Sequence, residues 1–155
     1  MAVYLRASVS LIDAQMLVLR ALEQAPRHAP GVAAVACAVV GSGGELVSFA
    51  AHDACAMLPR TVALRKAYTA LVLRRSTTTV QADCQSGRLE LARLADAELL
   101  ALPGGLPIII DGAVVGAVGV SGLTAEADAD LAAIALTALD QLLDCTQKTE
   151  SEDTV

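Results

Sequence analysis

The stretch Pro103–Gly122, PGGLPIIIDGAVVGAVGVSG, holds six of the chain's eleven glycines. Its isoleucines and valines read as strand, yet glycine inside a strand weakens it and leaves nothing to pack. These glycines must therefore serve turns or a close approach to backbone. Asp111-Gly112 is a two-residue hairpin signal, with Ile108–Ile110 before it and Ala113–Val120 as the partner strand. Gly104 and Gly105 precede the first strand, where positive φ or backbone contact is expected. Gly116 and Gly119 lie three apart, on opposite faces of the strand. One is read as admitting a crossing helix and the other a ligand. The segment ends in Val-Ser-Gly and lacks the Gly-Lys-Ser/Thr of a phosphate loop.

The chain around this hairpin is 155 residues, enough for one domain with one core. Hydrophobic residues make up 55% but aromatics only 2%. The core is therefore built from Ala, Val, Leu and Ile, and a pocket walled by aromatic plates is excluded. A formal charge of −6 with no basic stripe argues against nucleic acid. No apolar run is long enough to cross a bilayer, and the N-terminus lacks a signal-peptide core, so a cytoplasmic location is expected. The four cysteines form no CxxC pair, and two histidines with scattered acids supply no metal cluster; no metal is expected.

Ser10 to Asp13 is a capping-box variant opening a helix that Pro26 and Pro30 should close. Val32–Val40 and Glu45–Ala50, joined by Gly41–Gly44, predict a hairpin. A helix is predicted from Pro59 to about Arg74, ended by the Ser76–Thr79 run. Leu89, Leu91, Leu94 and Leu99 predict another over Arg88–Leu102. Thr124 should cap a last helix reaching about Cys145. The expected organisation is a single domain over 1–145 and a disordered polar tail over 146–155. Hairpins alternating with helices imply an α+β fold with an antiparallel sheet flanked by helices.

Four segments carry a resemblance. The glycine hairpin followed by Asp128, Leu11–Gln15, the Val39–Asp53 region and Lys66-Ala-Tyr-Thr-Ala70 together resemble the GlcG/HbpS family, also called DUF336 or PduO C-terminal-domain-like. The resemblance spans roughly Ser10 to Leu143. It implies a profilin-like sandwich with about five antiparallel strands, small homo-oligomers and, in some members, haem binding. Where the family reads Arg-x-Asp-Gly, this chain has Ala51-His52-Asp53-Ala54.

The candidate site residues follow. Lys66 lies on a helix face with Val62, Thr69, Ala70 and Leu73, where burial would lower its pKa for general-base or imine chemistry, or where it could hold a ligand carboxylate. The alternative is a lysine whose stem merely covers the core. His52 is a candidate axial haem ligand or acid–base group, and Asp53 could orient either. Thr69, Gly104, Gly105 and Ser121 are candidates for lining the pocket. The leading expectation is a cytoplasmic small-ligand-binding protein, with haem or a related tetrapyrrole as ligand. The alternative is a metal-free isomerase, cyclase or dehydratase moving a proton on a small carbonyl or acid metabolite with Lys66, Asp53 and His52.

Overall fold

The computed structural model describes residues 5–31 and 34–152, with side chains described through Leu139. The element order is α1 (Leu11–His28), β1 (Ala36–Gly41), β2 (Leu46–Ala51), α2 (Met57–Leu73), α3 (Thr77–Gln85), β3 (Gly105–Ile110), β4 (Ala113–Ser121) and α4 (Ala125–Glu152). The strands form one antiparallel sheet in the order β2-β1-β4-β3. This is the expected α+β class, but the sheet has four strands among the described residues rather than five. The β3–β4 ladder carries a bulge. Between Ile108 and Ile109 the register of β3 skips Val115, whose carbonyl instead accepts from Val9 N–H at 2.8 Å.

The two faces of the sheet are packed by different kinds of side chain. Cys37, Val39, Ile108, Val118 and Val120 meet Leu17, Val18, Ala21, Leu131 and Ala135 of α1 and α4. On the other face Ala36, Ala38, Val40 and Ala117 meet Ala63, Ala67 and Ala70 of α2. Strand β1 is therefore buried at every residue, as its short apolar run requires. With only alanine and glycine between them, α2 and β4 come into backbone contact. A Cβ on Gly119 would lie 2.5 Å from Ala67 N and still closer to the Ala63 carbonyl. Gly119 is thus the residue that admits the crossing helix. Gly116 faces the opposite side, as expected, but its space is taken by Val9 and the Val40 carbonyl rather than by a ligand.

Several sequence expectations are corrected. The helix α1 runs through Pro26 and ends at His28, two residues before Pro30. The Ser76–Thr79 run opens a helix: Ser76 Oγ accepts from Thr79 N–H at 3.1 Å and caps α3. The leucine spacing over Arg88–Leu102 yields only a 3-10 turn at Leu91–Leu94. There the segment is pinned from outside. Arg65 donates to the carbonyls of Ala97, Glu98 and Leu99, and Thr69 Oγ1 accepts from Leu100 N–H at 3.0 Å. Helix α4 continues past Cys145 to Glu152, so residues 146–152 of the expected tail fall in its backbone, and 153–155 lie outside the described residues. Among the described residues no helix is long and apolar enough to cross a membrane.

Candidate functional site

Lys66 is the centre of the site. The small-residue face of α2 carries it against β4, and its side chain reaches under Gly104. Lys66 is 3% exposed. Its Nζ donates to the Val120 carbonyl at 2.9 Å and to Asp128 Oδ2 at 2.7 Å. Asp128, also 3% exposed, sits in the first turn of α4, where the helix N-terminus favours a carboxylate. Its Oδ1 accepts from Leu123 N–H at 3.0 Å. Burial pushes the Lys66 ammonium below its ordinary value, and the charge and hydrogen bond of Asp128 act in the opposite sense.

Glycine makes room for this pair. Gly104 has φ +117°, and a Cβ there would lie 2.5 Å from Val120 O and 3.0 Å from Lys66 Nζ. A Cβ on Gly105 would lie 2.6 Å from Thr77 Cγ2. The amide of Gly105 donates to Thr77 Oγ1 at 2.8 Å, which fixes the start of β3 on α3. Above the pair opens a cleft of about 310 Å³, a size at the lower end for small-molecule sites. Its walls are apolar, with Leu58, Val62, Leu102 and Leu123, and its polar groups are Lys66, Asp128 and Ser121.

The other candidates fall elsewhere. Thr69 is fully buried and donates to Arg65 O at 2.8 Å while accepting from Leu100, so it holds the 97–102 segment and does not line the cleft. His52 and Asp53 follow β2 and do not line it either. Asp53 is exposed in a turn. His52 is tied to β1's approach: its N–H donates to Val35 O at 3.0 Å, and its Nδ1 accepts from Val35 N–H at 3.3 Å. A neutral ring with Nδ1 accepting carries its proton on Nε2, which leaves no free lone pair for iron. The described residues therefore do not fit a haem ligated by His52, and the cleft contains no imidazole, thiol or thioether. The partner of Lys66 is Asp128 rather than Asp53 or Thr69. Asp128 was legible as a helix-terminal acid, but no local pattern joins it to a lysine 62 residues away. Cys37 and Cys55 behave as inert core groups: burial raises the Cys37 thiol to about 12, and Cys55 is also buried.

A family model described as haem degrading protein HbpS-like matches residues 9–137. The chain belongs to the HbpS-like family. This HbpS-like chain is 37% identical over 112 residues to an uncharacterized 15.0 kDa protein from the dhaT–dhaS intergenic region of Citrobacter freundii, covering 70% of this chain and 78% of that one. It is 38% identical over 87 residues to protein GlcG of Escherichia coli K12, covering 56% and 63%. Among solved structures, the ORFY protein of Klebsiella pneumoniae, of family DUF336, superposes with a TM-score of 0.76 at 29% identity, over 88% of this chain and 94% of that one. The PduOC:heme complex gives 0.76 at 24% identity, over 85% and 95%. A double mutant of Streptomyces reticuli HbpS gives 0.79 at 23%, over 88% and 90%. The last two likenesses speak to the HbpS-like fold alone.

Proposed function

We propose that this chain binds a small organic molecule bearing a carbonyl or carboxylate oxygen in the cleft above Lys66 and Asp128. The observation that carries this reading is Lys66 itself. A lysine ammonium has three N–H donors. Two are used by Val120 and Asp128, and among the described residues no third acceptor lies within hydrogen-bond distance. A buried donor left over at the floor of an apolar cleft is suited to an oxygen on a ligand. Ser121, on the cleft wall, supplies a second polar contact.

Haem is the second reading, supported by the family's description and by the neighbour solved with heme. The tautomer of His52 weighs against it, and so does the absence of an imidazole, thiol or thioether among the residues lining the cleft. One titration separates the two. Butanone or pyruvate added to isotope-labelled protein is expected to shift the amide signals of Ser121, Gly122 and Leu123. Haemin is expected to give no Soret change that depends on His52, as judged by His52→Ala. A haemin band lost in His52→Ala, with silent cleft amides, would reverse the order of the readings.

We also propose a homo-oligomer. Met57 and Leu58, at the start of α2 beside the cleft, are 83% and 72% exposed, and such apolar side chains together favour a covering surface. Light scattering is expected to give a multiple of the 15.8 kDa chain mass; a monomer at micromolar concentration refutes it.

A further inference from the structure

We propose that Lys66 forms a reversible covalent imine with a small aldehyde or ketone entering the cleft, with Asp128 relaying the proton. This rests on the binding reading above and goes beyond it, because bond formation demands more than a hydrogen-bond donor.

Four observations converge on it. The chain has only two lysines against nine arginines: Lys66 on α2, and Lys148 near the end of α4. A buried cation needed only for charge pairing is well served by arginine, whereas an amine nucleophile must be lysine. Lys66 and Asp128 both line the cleft among its apolar walls, and Gly104 leaves the space beside Nζ free of a side chain. Asp128 Oδ2, at 2.7 Å, is close enough to take and return a proton directly. Desolvation, which lowers the Lys66 pKa, favours the neutral amine needed for attack.

The step balances without an added reagent. The Lys66 ammonium gives one proton to Asp128. The freed Nζ lone pair attacks the carbonyl carbon, and the C=O π pair moves to oxygen. A second proton passes from nitrogen to that oxygen, which gives a carbinolamine. Asp128 then returns its proton to the hydroxyl, which leaves as water while the nitrogen lone pair forms C=N. Ammonium and carbonyl become iminium and water, and the positive charge stays facing the Asp128 carboxylate.

The test is reductive trapping of the intact protein with butanone or propanal and sodium cyanoborohydride, followed by peptide mass mapping. Lys66 is expected to be alkylated ahead of Lys148 and the N-terminal amine, and Asp128→Asn is expected to slow Lys66 trapping by about 10²-fold. Alkylation confined to Lys148 and the N-terminus overturns the proposal. So does an unchanged trapping rate in Asp128→Asn. The amide titration without reductant distinguishes the two levels: cleft shifts with no Lys66 adduct sink the imine and leave binding intact, whereas neither shifts nor adduct sinks both.

Discussion

Lys66→Met is expected to destabilise the protein by roughly 3–5 kcal/mol, because it strands the Asp128 carboxylate in the interior with its cation gone. For a chain of this length that corresponds to a fall in melting temperature of roughly 6–20 °C. The lysine stem alone would predict no such loss, since methionine replaces its packing. The large effect comes from the partner: both side chains are almost fully buried, and the 2.7 Å contact is what makes Asp128 tolerable there. The double variant Lys66→Met with Asp128→Asn is expected to regain more than half of the loss, because no buried charge remains and Oδ1 still accepts from Leu123 N–H. Calorimetry on the wild type and the variants decides it; a Lys66→Met protein melting within a degree of wild type would sink the buried pair. The titration of Lys66 adds a signature of definite sign. Its folded-state pKa lies below the ordinary 10.5, so in the alkaline window between the two the unfolded chain holds a proton that the folded chain has released. The contribution of Lys66 to stability therefore rises with pH in that window, and Lys66→Met removes this slope.

Gly119→Val is expected to be the most damaging single change on the sheet. The first atom added collides with α2 backbone at Ala67 N and the Ala63 carbonyl, and no rotamer moves a Cβ. The helix must lift from β4, opening the alanine layer between them. Overpacking of this kind costs about 1–3 kcal/mol in a compliant core and more where backbone is the obstacle. We expect at least about 3 kcal/mol, read as a loss of soluble yield or a shifted denaturant midpoint. Because α2 also carries Lys66, the same displacement should pull Nζ from Asp128 and abolish the cleft amide shifts. Gly112→Asn is the control. Its φ is +77°, nothing lies within 4 Å of an added Cβ, and asparagine tolerates that conformation. A Gly119→Val protein as stable as Gly112→Asn would refute the close helix–strand contact.

The α+β class, the first and last helices and the hairpin at Asp111-Gly112 were legible in the sequence because each rests on local chemistry. A two-residue turn needs positive φ, which Asp111 and Gly112 adopt; a cap needs an oxygen before a helix, which Ser10 and Thr124 supply. The place of Lys66 on the small-residue face of its helix was legible too, and an ammonium buried in a layer of alanines and valines must find a counter-charge or a ligand there. What local pattern could not reveal was decided by contacts across the fold. The leucines of 88–102 have helical spacing, but Arg65 and Thr69 capture the backbone of 97–100 and hold it in a turn ahead of β3. His52 looked free to bind iron until Val35, brought alongside it near β1, occupied Nδ1. Asp53 stands thirteen residues from Lys66 in sequence and yet outside its cleft, while Asp128 reaches it across the sheet. The physical reason is the same in each case. Spacing along a chain determines which face a side chain takes within its own element, but which charge meets which is determined by how closely the elements pack, and here that depended on the missing Cβ atoms of Gly104 and Gly119.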